Sequence, residues 1–211
     1  MAHLRSRSPR SALRARPLLL LGVVVLTLTA SACGDRNELE PTIPVVDESV
    51  RLYSLNGSEP GSPNGLALIS STGAGRFGPV VFRASPNFFF DLAVDFADAG
   101  GVRLYPVRLV GSVLGGARQV GLRPYEIPFE QLETAPTEGY EFDESFELAE
   151  GDVFAAVSVG APICTSGFNL IPNIYAKLRV EEIDEVTRSV VLRVVADPNC
   201  GFRRLTPPAA D

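Results

Sequence analysis

The chain has no tryptophan, one methionine (Met1), one histidine (His3) and one lysine (Lys177) among its 211 residues. His3 falls in a segment that reads as removed on export, so the finished chain would carry no imidazole. Without histidine there is no Ser-His-Asp or Cys-His triad. The nitrogen ligands common in zinc, copper and non-haem iron sites are absent as well. Schiff-base or Ser-Lys chemistry would rest on Lys177 alone. No Gly-x-x-x-x-Gly-Lys phosphate loop occurs. Of the common catalytic groups, carboxylates remain.

Leu18 to Leu26 form the longest apolar stretch, and its 9 residues are too few for a membrane span, which takes about 20. Arg5, Arg7, Arg10, Arg14 and Arg16 precede it, and the first acidic residue is Asp35. A charged start, an apolar stretch and then small residues make the layout of a secretory signal, expected over residues 1–32.

The run Ala30-Ser31-Ala32-Cys33 resembles the lipobox of bacterial lipoproteins, Leu-Ala/Ser-Gly/Ala-Cys. It departs from that pattern at Ala30, where leucine is usual, and Leu28 lies two residues too early. The resemblance covers only the first 33 residues. It implies that Cys33 is thioether-linked to diacylglycerol, becomes the N-terminus and is N-acylated. Several acyl chains hold a protein firmly where one gives marginal binding. The implied location is the cell envelope, membrane-anchored. Gly34 is not Asp, which by analogy with enterobacterial sorting permits outer-membrane delivery.

Removal of residues 1–32 leaves 179 residues and takes five arginines but no acidic residue, so 14 basic residues face 25 acidic ones, a net charge of −11. Such a chain is a poor ligand for nucleic acid, whose binding draws on phosphate neutralisation. Attachment through a polybasic patch is equally disfavoured. The length suits one domain and a tether. Residues 33–48, with Pro41 and Pro44, are expected as the lipidated tether, 49–205 as the domain and 206–211 as a disordered tail.

From Ser49 onward the periodicity is that of strands. They are expected at Ser49–Leu55, Gly65–Ser71, Pro79–Ala84, Phe88–Ala97, Val102–Val110, Ala117–Ile127, Tyr140–Leu148, Asp152–Gly160, Asn173–Ile183 and Arg188–Ala196. In Phe88–Ala97, Phe88, Phe90, Leu92, Val94 and Phe96 share one parity, leaving Asp91 and Asp95 for a solvated face, with Asp98 following. Ile174, Ala176, Leu178 and Val180 oppose Tyr175, Lys177, Arg179 and Glu181 in the same way. Asp98-Ala99-Gly100-Gly101 and Asp184-Glu185-Val186-Thr187 suit hairpin turns. Only Pro128–Ala135 suits a helical turn. About nine short strands with irregular loops predict an all-β, immunoglobulin-like or related antiparallel β-sandwich.

Cys164 and Cys200 remain once Cys33 is assigned to lipid, and outside the cytoplasm such a pair is expected to form a disulfide. Between Arg123 and Lys177 lie ten acidic residues and no basic one. Within that stretch Glu141, Asp143 and Glu144 are the candidates for a divalent ion, although the Asp-x-Asp-x-Asp-Gly order of a calcium loop is missing. No cofactor is expected. The five tyrosines, Tyr53, Tyr105, Tyr125, Tyr140 and Tyr175, form no cluster along the chain. The expectation is therefore a non-catalytic binding or structural domain, held to a membrane by lipid and meeting an envelope protein or glycan. A carboxylate-dependent, glycosidase-like hydrolase and a calcium-stabilised adhesin-like module are the alternatives.

Overall fold

The computed structural model describes residues 41–84, 90–98, 100–110, 119–164 and 172–207. Residues 1–40, which include the expected export segment and Cys33, lie outside the described residues, as do Phe88, Phe89 and residues 208–211. The described residues form ten strands: β1 (Val46–Tyr53), β2 (Gly65–Gly73), β3 (Arg76–Phe82), β4 (Leu92–Phe96), β5 (Val102–Pro106), β6 (Gln119–Tyr125), β7 (Phe146–Glu147), β8 (Val153–Val159), β9 (Asn173–Asp184) and β10 (Ser189–Asp197). They build two five-stranded antiparallel sheets, ordered β1-β10-β9-β8-β6 and β3-β2-β4-β5-β7. The protein is an antiparallel β-sandwich.

Alternation decides which side chains enter the space between the sheets. From the first sheet come Leu122, Phe154, Ile174, Leu178, Val190, Leu192 and Val194; from the second come Leu66, Leu68, Leu92, Val94, Val102 and Leu104. Each fully buried side chain of this size contributes about 1.5–3 kcal/mol. The β9–β10 alternation is as the sequence predicts. A disulfide joins Cys164, in the 3-10 turn Pro162–Cys164, to Cys200 just beyond β10.

Several local expectations are corrected. Val102–Val110 is a strand only to Pro106, after which Val107–Leu109 forms a 3-10 turn; the last bond of the pairing is the Val107 N–H on the Asp91 carbonyl at 2.9 Å, beyond which the Val110 N–H turns back to the Val107 carbonyl. Tyr140–Leu148 is not one strand but divides between the two sheets. Glu141 makes a single antiparallel bridge to Leu122 of β6, whereas Phe146–Glu147 pairs with β5. Its alternating aromatics thus serve two different apolar faces.

The carboxylates read as a solvated face also change place. Asp91 is fully buried, accepting from the Leu68 N–H at 2.8 Å and the Ser158 hydroxyl at 2.7 Å, and so linking the second sheet to β8 of the first. Asp95 is half-buried and accepts from the Ser54 hydroxyl at 2.6 Å and the Asn56 N–H at 3.0 Å, which fixes the chain leaving β1. Asp98 alone is exposed. The described chain is also held earlier than the tether reading implies. Asn199 Oδ1 accepts from the N–H groups of Thr42 and Ile43, both at 3.0 Å, and its amide donates to the Ile43 carbonyl at 2.7 Å. β1 then begins at Val46, paired with Ala196, three residues before Ser49.

Candidate functional site

The first sheet carries an apolar patch on its outer face too. β8 reads Val-Phe-Ala-Ala-Val-Ser-Val; Phe154 and Ala156 enter the sandwich, while Val153, Ala155 and Val157 join a second cluster with Tyr175 and Val195. Two segments cover this face and complete the cluster. Residues 126–142 supply Phe129, Leu132 and Ala135, and the C-terminal segment supplies Leu205. The covers are tied to each other by the Ala135 N–H on the Arg203 carbonyl at 2.8 Å and the Leu205 N–H on the Glu133 carbonyl at 2.7 Å. The region expected as a helical turn is the 3-10 turn Phe129–Gln131.

Under the cover sits Lys177, 4% exposed. Its ammonium donates to the Phe129 carbonyl at 3.0 Å and lies 4.5 Å from the centre of the same ring. Burial pulls the Lys177 pKa down, against the opposing pull of Glu130. Arg193 and Arg179 approach that ring at 4.9 and 5.4 Å. Glu130 stands 3.6 Å from both guanidinium groups. The chain's one lysine therefore seats the cover. This arrangement withdraws its amine from solution.

Beside Phe129 the cover turns at Gly139 (φ +79°) and lays Tyr140 and Phe142 across β6. Gly121 makes that approach possible, because a Cβ there would stand 2.7 Å from the Tyr140 Cβ and 2.9 Å from the Phe142 ring. Between the turn and the ends of β8 and β9 opens a half-open cleft of about 310 Å³, walled by Tyr140, Phe142, Val157 and Tyr175. Asn173, Thr137 and Glu138 supply its polar lining. The Asn173 amide donates to the Tyr175 hydroxyl at 3.4 Å. The Tyr140 hydroxyl donates to the Pro136 carbonyl at 3.1 Å. Burial pushes the Tyr140 pKa up, and the neighbouring Tyr175 and Tyr125 add to the rise. Tyr140 is thus a neutral hydrogen-bonding ring at physiological pH.

Three tyrosines scattered along the chain are therefore neighbours in the fold. Alternation alone places Tyr125 and Tyr175 on the outer face of their strands, but it cannot bring Tyr140 to them. The available signal was β8, apolar at both parities, which requires cover on both faces of its sheet.

The candidate ion ligands are not gathered. Glu141 is fixed through its backbone to Leu122, and Asp143 pairs with Arg108 at 3.0 Å. Among the described residues no three His, Cys, Asp or Glu side chains stand close enough to hold a metal ion. Nor does the cleft offer the two carboxylates of a glycosidase, since Glu138 is the one acidic residue in its described lining. Burial pushes the Asp197 pKa up, but Asp197 is fully enclosed beside Asn199. No protein-family model, no curated protein and no solved structure matches the chain.

Proposed function

We propose that this chain is an envelope lipoprotein, anchored through Cys33, whose β-sandwich is a non-catalytic binding domain presenting the Tyr140–Tyr175 cleft. The observation that carries the anchor is the order of five arginines, nine apolar residues and Ala30-Ser31-Ala32-Cys33. The cleft supports the binding role. It is small, half-open and aromatic-walled, with a few polar groups beside the rings, the usual make-up of a small-ligand site. Its flap is held by backbone bonds and by Gly121, so the walls are set before a ligand arrives.

The anchor is tested by fractionating cells that express the full chain beside Cys33→Ser. The wild type is expected in the membrane fraction and labelled by a radioactive fatty acid. The variant is expected unlabelled. Equal labelling of both would contradict the reading.

A further inference from the structure

We infer that the cleft accepts a neutral pyranose ring, as a free saccharide or as a unit of an envelope glycan; this rests on the cleft being a binding site. The other ligand classes fit its chemistry less well. A cation drawn to the Glu138 carboxylate, the one charged group of the described lining, would find it offset by Arg123, whose guanidinium donates to the Glu138 carbonyl at 2.8 Å. An anion would meet the Glu138 carboxylate at the lining of a strongly acidic protein. A purely apolar ligand would strip water from the Asn173 amide and the Tyr175 hydroxyl without replacing their hydrogen bonds. Each such buried loss costs about 1–3 kcal/mol.

A neutral sugar matches both halves of the site. Its C–H faces are apolar and flat enough to lie against the Tyr140 and Phe142 rings, and its edges carry hydroxyls. Because the Asn173 amide N–H is directed at the Tyr175 oxygen, the Asn173 carbonyl and the Tyr175 O–H are left to accept from and donate to those hydroxyls. Thr137 adds a second hydroxyl and Glu138 an acceptor. The volume of about 310 Å³ suits one or two rings, at the small end of ligand pockets. The open side would let a longer chain continue into solvent.

The chain reports on this site directly. It has five tyrosines and no tryptophan, so ultraviolet-excited emission comes from tyrosine, and Tyr125, Tyr140 and Tyr175 are grouped here. The experiment titrates the chain from Cys33 onward, carrying Cys33→Ser for solubility, with maltotriose, cellotriose and chitotriose while following tyrosine emission. Co-sedimentation with insoluble peptidoglycan forms a parallel arm. Cyclohexanol, which neither absorbs nor emits with tyrosine, serves as a probe that is apolar on both ring faces. At least one trisaccharide is expected to give a saturable change, which Asn173→Ala and Tyr175→Phe each weaken about tenfold while the melting temperature holds. Trisaccharide binding without co-sedimentation identifies a free saccharide as the source. Binding in both arms identifies the glycan, as does co-sedimentation alone when it is lost in Asn173→Ala. A saturable response to cyclohexanol and to no sugar in either arm overturns the sugar assignment but keeps the binding cleft. Silence toward every probe overturns both.

Discussion

Arg188 clamps Phe96 from two sides: its Nη2 donates to the Phe96 carbonyl at 2.6 Å, and its guanidinium carbon lies 5.6 Å from the centre of the Phe96 ring. Arg188 leads into β10 of the first sheet and Phe96 ends β4 of the second, so this one side chain ties the two sheets at a corner. Its Nε also donates to the Asn56 carbonyl at 3.2 Å. The backbone accepts a left-handed conformation to place it there (φ +52°), which is unusual for a residue other than glycine.

Arg188→Ala is therefore expected to destabilise the domain by about 2 kcal/mol, the scale of a hydrogen bond to a charged group. Arg188→Lys restores the charge but not the planar fork, and should recover less than half of the loss. Urea unfolding at pH 7 measures both. A variant as stable as the wild type would show the clamp to be incidental.

The Cys164–Cys200 bond joins residues 36 apart. Constraining a loop of that size in the unfolded chain is worth roughly 4 kcal/mol. Replacing both cysteines with alanine should lower stability by about that amount. Asn199 lies beside Cys200 and holds Thr42 and Ile43, so protection of these two amides from hydrogen exchange should fall first.

Gly121→Ala tests the seating of the cleft wall. The added Cβ would fall 2.7 Å from the Tyr140 Cβ, which no rotamer change at either residue relieves. The flap must lift, at about 1–3 kcal/mol by the usual cost of overpacking. Tyrosine emission should change in intensity toward that of tyrosine in water, with the strand content intact by far-ultraviolet circular dichroism. Unchanged emission would contradict the close packing of the 140–142 segment.

Two carboxylates should give opposite pH signatures. Burial works to raise the Asp95 pKa, yet the bonds from Ser54, Asn56 and Phe96 outweigh it and hold the carboxyl below its usual value. Its contribution is present above the unfolded pKa and lost as pH falls through the folded one. Asp197 is the reverse. Burial raises its pKa beyond what the bonds from Asn199 offset, and among the described residues its Oδ2 finds no hydrogen-bond partner. Its folded form is favoured below the unfolded pKa, and that advantage is lost as pH rises through the folded value. Asp95→Asn should thus destabilise at pH 7, with the deficit shrinking below pH 3.8. Asp197→Asn should be tolerated at pH 7 and become relatively worse in acid. Urea midpoints at pH 7 and pH 3.5 give both signs.

Much of the sandwich was legible because its strands alternate. Ile174, Ala176, Leu178 and Val180 face the core as their parity predicts, and the cysteine pair followed from counting. Strand ends were less legible, since Val102–Val110 carries a strand-like pattern through Pro106 and only the ladder ends it. Asp91 reads as a surface residue until Ser158, 67 positions away, is placed against it. The cleft was invisible for the same reason. Tyr140 meets Tyr175 only because Gly121, on a third segment, has no side chain to keep them apart.

The most direct test of the whole account is the intact mass of the mature N-terminus, measured on protein extracted from the envelope of a bacterial host. A lipoprotein anchored through Cys33 starts at that residue and is heavier than its peptide mass by a diacylglyceryl group and an amide-linked acyl chain. A mature chain that starts elsewhere, or one that carries Cys33 as an unmodified thiol, would contradict the anchor.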